Sequence, residues 1–154
     1  MVNPQPLKIA VDAEAVSAVL LCPPNAKALY LFAHGAGAGM DHHAMESNAQ
    51  GLAARSIATL RYQFLYMEKG SRRPDGPKAA HAVVRAAAAK AAQLVPELPL
   101  LAGGRSFGGR MTSQTQAEEA LPNVLGLAFL GFPLHPVDKP GEPHRDCRRP
   151  VFLN

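Results

Sequence analysis

Residues 98–110, LPLLAGGRSFGGR, decide how the rest of the chain is read. Leu98-Pro99-Leu100-Leu101-Ala102 is an apolar run of strand length that meets the glycine pair Gly103-Gly104. Arg105, Ser106 and Phe107 follow, then Gly108-Gly109. Gly104-x-Ser106-x-Gly108 has the spacing of a nucleophile elbow, in which a strand turns at once into a helix. Such a turn strains the serine backbone, and side chains two residues to either side would collide, so both flanking positions require glycine. It thrusts the Ser106 hydroxyl out of the fold and aims the first amides of the helix at the same spot. The competing reading is a glycine-rich strand-to-helix turn with a solvated serine.

The segments before this stretch alternate. Residues 7–11 read as a half-exposed strand, Asp12-Ala13-Glu14 as a turn, and residues 16–22 as the returning strand of an N-terminal hairpin. Ala28-Leu29-Tyr30-Leu31-Phe32-Ala33 has the continuous apolar pattern of a strand buried on both faces, and ends in His34-Gly35-Ala36-Gly37-Ala38-Gly39. Met45, Ala49, Leu52 and Ala53 recur at helical spacing. Residues 57–60 are the next strand, and residues 66–77, YMEKGSRRPDGP, a polar loop. Residues 78–95 form an alanine-rich helix with Lys78, His81, Arg85, Lys90 and Gln93 on its solvated face, ended by Pro96.

After the elbow, residues 107–120 read as an unusually polar helix and residues 124–132 as a further buried strand. A strand-like scrap at 150–153 closes the sequence. A hairpin, then strand and helix in alternation, specifies an α/β domain: a mostly parallel sheet with helices on both faces, in one unit over residues 1–154. Ligands in such sheets bind at the carboxyl ends of the strands, where both glycine-rich turns fall.

Composition narrows the function classes. The formal charge of +4 is scattered apart from the basic tail, and there is no aromatic-interleaved basic stripe, so no nucleic-acid partner is expected. No apolar run approaches the roughly 20 residues that span a bilayer, and the N-terminus lacks a signal-peptide pattern. A cytoplasmic protein with no membrane partner is the expectation. Cys22 and Cys147 lack metal-ligand spacing. Asp41-His42-His43 reads as a solvated helix start capped by Asp41, because neighbouring helical residues point about 100° apart and chelate poorly. No metal and no cofactor are expected.

Gly35-x-Gly37-x-Gly39 departs from a dinucleotide fingerprint, since Met40 occupies the last glycine position and Arg61 ends the next strand where an acid belongs. The turn fits an oxyanion loop instead. One donor amide would follow the nucleophile, at Phe107, and the other would come from Gly35 and Ala36. His34 reads as a hydrogen-bonded structural residue. Serine chemistry also needs a histidine and an acid. After Ser106 there remain His135 and His144, with Asp138, Glu142 and Asp146; His135, in the rigid GFPLHP loop, is a poor candidate base because no acid–His order fits.

Together, HGAGAGMDHHAM, ATLRYQFLYME with RRPDGP, GGRSFGGRM and GFPLHP resemble the alpha/beta-hydrolase-like proteins of the dienelactone hydrolase group. Within that group they are similar to the branch of testis-expressed and NSL-complex regulatory-subunit-like proteins. The resemblance runs from about residue 28 to 136. It implies a nucleophile at Ser106, elbow glycines at Gly104 and Gly108, oxyanion donors at Phe107, Gly35 and Ala36, and a small-molecule acyl substrate. It also implies a further strand bearing an aspartate, and a histidine beyond that, which have no counterpart here. The chain is therefore expected to be truncated, with the C-terminal third of the fold missing and little or no turnover. A bare sheet edge would favour self-association. Two alternatives remain: a non-catalytic interaction module on the same fold, and a fragment without a settled role.

Overall fold

The computed structural model describes residues 2–136 and 138–142. The element order is β1 (Gln5–Val11), β2 (Glu14–Leu21), β3 (Ala28–Ala33), α1 (His43–Ala53), β4 (Ile57–Tyr62), α2 (Leu65–Glu68), α3 (Pro77–Leu94), β5 (Leu100–Arg105), α4 (Phe107–Glu118) and β6 (Val124–Leu130). The described strands make one sheet in the order β1-β2-β4-β3-β5-β6. β1, β2 and β4 pair antiparallel, while β4, β3, β5 and β6 run parallel. This is the α/β architecture expected, with the hairpin at one edge.

The strands sort their side chains between two layers, as the period-2 pleat requires. Leu29, Leu31, Ala33, Ala58, Leu60 and Ala102 join the large core under α3 and α4. Tyr30, Phe32 and Met45 form a smaller cluster on the opposite face, beneath α1. Helices thus cover both faces, and the central strands have no solvated side.

Several local expectations are corrected. Gly103, Gly104 and Arg105 belong to β5 rather than to a turn; the two glycines pair in register with both β3 and β6, and Arg105 with β6. The segment read as a polar loop begins with α2, in which Tyr66 is buried. His42, not Asp41, caps α1: its Nδ1 accepts the Ala44 amide at 3.2 Å. His81 is not solvated but buried, its ring nitrogens 3.0 Å from Glu118 Oε2 and 2.9 Å from Gln114 Oε1.

One turn along, Arg85 donates to the Thr115 and Glu119 carbonyls at the end of α4. The polar character of α4 has the same explanation. It meets the polar stripe of α3, and its buried Thr112 and Thr115 hydroxyls donate to the Gly108 and Met111 carbonyls, each at 2.7 Å. β6, read as buried, leaves Leu125 69% and Leu130 41% exposed. The strand-like segment at 150–153, with His144, Asp146 and Cys147, lies outside the described residues.

Candidate active site

β3 and β5 are parallel neighbours in the middle of the sheet, with Ala33 opposite Gly104. Their carboxyl ends therefore deliver His34-Gly35 and Arg105-Ser106 to the same place. The approach is close enough to dictate residue type. A Cβ on Gly104 would overlap the Ala33 carbonyl oxygen, and a Cβ on Gly108 would overlap the His34 carbonyl oxygen. Both elbow glycines are thus required by backbone packing against the end of β3.

Ser106 sits between them as the N-cap of α4, at φ 46° and ψ −113°. A non-glycine residue in this region stores about 1–3 kcal/mol of strain. Its amide donates to the Gly131 carbonyl at 2.9 Å, and its carbonyl accepts the Arg110 amide at 3.0 Å. Ser106 is exposed while Phe107, Gly108 and Gly109 are buried. Its hydroxyl has no hydrogen-bond partner among the described residues. Phe107 opens α4, so its amide has no intrahelical acceptor and faces the end where Ser106 stands. A Cβ on Gly35 would lie 3.8 Å from Ser106 Cβ, which places the turn after β3 against the serine.

That turn is held by side chains at the carboxyl ends of β3 and β4 and by one from α2. The His34 ring is fully buried between Phe64 and Tyr66. Its Nε2 lies 3.0 Å from the Phe64 amide, which can only donate, so Nε2 accepts. Nδ1, 2.7 Å from the Gly35 carbonyl, must then carry the proton. Burial pushes the imidazole below its ordinary range, against the opposing pull of the Gly35 carbonyl and of Asp75. A neutral His34 bridging two backbone groups is a structural residue, as its place at a strand end suggested.

Tyr66 donates to the Ala36 carbonyl at 2.9 Å, with Gly35 O at 3.5 Å. Gln63 Oε1 accepts the Met40 amide, and Arg61 donates to the Met40 carbonyl, both at 2.9 Å. Arg61, which stands where a nucleotide fold would carry an acid, therefore ties down the far end of the turn. The sequence carried no separate sign of Gln63 or Gly131. Tyr66 had one, as an aromatic residue in an otherwise polar stretch.

His135 follows β6 in an exposed loop, with Nδ1 2.9 Å from the Pro136 carbonyl. No hydrogen bond joins it to Ser106. Among the described residues, no group of three or more His, Cys, Asp or Glu could hold a metal ion. No described helix is long and apolar enough to cross a membrane.

Comparison with known proteins gives one family. The alpha/beta hydrolase domain matches residues 26–152. The fold is similar to that of dienelactone hydrolase from Anabaena variabilis, at TM-score 0.74 and 20% identity, covering 85% of this chain and 64% of that one. It is also similar to an α/β serine hydrolase without a lid from Xanthomonas campestris, at TM-score 0.72 and 18% identity, covering 92% and 67%. A cold-adapted esterase from an Arctic intertidal metagenomic library gives TM-score 0.64 at 20% identity, covering 83% and 60%. The chain thus spans about three-fifths to two-thirds of the length of these three structures. No curated protein matches the sequence.

Proposed function

The chain belongs to the alpha/beta hydrolase family, and on that premise we propose that it carries the nucleophile and oxyanion half of a serine acyl-hydrolase site, centred on Ser106. The observation that carries this reading is the strained, exposed Ser106 at the head of α4 with Gly35 set against it. The substrate class is an ester or a related acyl compound. Dienelactone hydrolase and an esterase among the similar folds support that class.

In the proposed reaction, Ser106 Oγ attacks the acyl carbonyl carbon and its proton passes to a base. The carbonyl π electrons move onto oxygen, giving a tetrahedral oxyanion. The Phe107 amide and the amides of the Gly35-Ala36 turn donate to that oxygen. Each such donor contributes on the order of 3 kcal/mol of transition-state stabilisation. Collapse expels the alcohol, which takes up the proton, and leaves an acyl-serine that water hydrolyses.

His135 is a poor base for this step, since no hydrogen bond joins it to Ser106 and the one partner of its ring among the described residues is the Pro136 carbonyl rather than an acid. The described residues offer Ser106 no histidine–acid pair, so from them alone little or no ester turnover is expected. A fluorophosphonate probe separates the readings, because its fluoride leaves without a general acid and the serine proton can pass to buffer base. Covalent labelling that Ser106→Ala abolishes supports the proposal. No labelling of the folded chain favours a non-catalytic interaction module on the same fold, or a fragment without a settled role.

A further inference from the structure

The turn after β3 has to present its amides in one orientation, and glycine-rich backbone does not choose an orientation by itself. In a trans peptide the carbonyl of one residue and the amide of the next point in opposite directions. Whatever grips the Gly35 and Ala36 carbonyls therefore also sets the Ala36 and Gly37 amides. His34 grips the first at 2.7 Å. Tyr66 is the residue that reaches both, with the Ala36 carbonyl at 2.9 Å and the Gly35 carbonyl at 3.5 Å. No other side-chain bond to the Ala36 carbonyl occurs among the described residues.

The rest of the Tyr66 environment keeps the hydroxyl in that place. Its ring stands edge-on to Phe107 at 6.0 Å, beside the nucleophile, and 5.9 Å from the His34 ring. α2 has only one turn and could not hold a side chain unaided. It is fixed at both ends. The Tyr66 amide donates to Asp75 Oδ2 at 3.0 Å, from the loop before α3. At the other end, Glu68 accepts from Lys8 at 2.7 Å and from the Ser17 hydroxyl at 2.9 Å.

We infer that Tyr66, seated by Asp75, is a positioning residue that fixes the Gly35-Ala36 peptides in the orientation in which they serve Ser106. This rests on the Ser106 reading for its catalytic meaning, while the clamp itself stands on the geometry of the turn. The polar loop at 69–76 thereby reaches the oxyanion turn through one carboxylate and one phenol.

Tyr66→Phe removes the hydroxyl and keeps the ring packing, and two readouts test it. In the first, 15N order parameters of the Gly35, Ala36 and Gly37 amides are expected to fall from the rigid range to below about 0.6, with the β3 amides unchanged. In the second, the saturated rate of fluorophosphonate labelling is expected to drop about tenfold, the effect of losing roughly one hydrogen bond, at a half-saturating probe concentration within about twofold of the original. Asp75→Ala should reproduce both changes, and Asp75→Asn, which keeps an acceptor for the Tyr66 amide, should restore most of the rate.

Unchanged order parameters in Tyr66→Phe overturn the inference, as does a weaker probe affinity at unchanged saturated rate. If the original chain does not label at all, the Ser106 reading falls. The order parameters alone then decide whether Tyr66 holds the turn.

Discussion

Two glycine-rich turns stand side by side at the carboxyl ends of β3 and β5, and they are built by opposite means. The elbow at 104–108 is fixed by what is missing. Its flanking glycines let backbone touch backbone, and a single methyl at either would overlap a carbonyl oxygen of Ala33 or His34. The turn at 35–39 is fixed by what is added. A Cβ on Gly35 would make only ordinary contacts at 3.7 and 3.8 Å, one on Gly37 would meet nothing within 4 Å, and one on Gly39 would crowd side chains rather than backbone, Gln63 Oε1 at 2.7 Å first. Its shape comes instead from His34, Arg61, Gln63 and Tyr66, each bonded to a backbone group. Sterics define the seat of Ser106, the proposed nucleophile, and hydrogen bonds define the place proposed for the oxyanion.

The largest effect expected from this contrast is at the elbow. Gly104→Ala and Gly108→Ala should each destabilise the fold by about 3 kcal/mol or more, because the methyl meets main chain that cannot swing aside. Urea denaturation measures it. A variant within about 1 kcal/mol of the original would show that the end of β3 yields, and that the elbow is not sterically set.

The next effect belongs to the hydrogen-bonded turn. His34→Ala leaves the buried Phe64 amide without its acceptor and opens a cavity between two aromatic rings, a loss of about 2–4 kcal/mol. The imidazole also makes stability depend on pH. Its folded pKa lies below the ordinary 6.5, so the unfolded chain binds the proton more readily. Unfolding then takes up a proton, and stability should fall as pH drops below about 6.5. His34→Gln, which offers a donor and an acceptor but does not titrate, should flatten that part of the pH–stability curve. An equal acid slope in both proteins would assign the loss to other groups.

The same contrast explains what could be read from the sequence. Steric requirements leave a mark in residue type, so Gly104-x-Ser106-x-Gly108 announced the elbow, and continuous apolar runs announced β3 and the start of β5. Hydrogen-bonding requirements leave a weaker one. Gln63, Tyr66 and Asp75 are ordinary residues whose partners lie 9 to 30 positions away. Polarity misled for a related reason. His81 and Arg85 looked solvated because their partners, on the polar face of α4, come 30 or more positions later. Gly103 looked like a turn because nothing local shows that the Ala128 carbonyl and the Tyr30 hydroxyl occupy the space its side chain would take.

A smaller effect separates shape from chemistry at Gly35. Its φ is not positive and its neighbours stand at van der Waals distance, so Gly35→Ala should cost no more than about 1 kcal/mol. The new methyl would nevertheless lie 3.8 Å from Ser106 Cβ, on the path proposed for an incoming acyl group. Fluorophosphonate labelling should slow while the urea midpoint stays nearly constant. A labelling rate unchanged by the methyl would place the acyl group on another side of the serine.

The smallest effect is the sharpest discriminator, because the two modes of construction predict opposite signs. If glycine at 37 served the turn as glycine at 104 serves the elbow, Gly37→Ala would destabilise. Gly37 has no positive φ, and no atom comes within 4 Å of a Cβ built there. The turn's shape is already set by bonds to the backbone at 35, 36 and 40. Alanine would then change the unfolded chain more than the folded one, by reducing the conformations lost on folding, and stability should rise by about 0.5 kcal/mol. A loss of comparable size would mean that the turn samples conformations only glycine can reach, and the hydrogen-bonded account of it would fail.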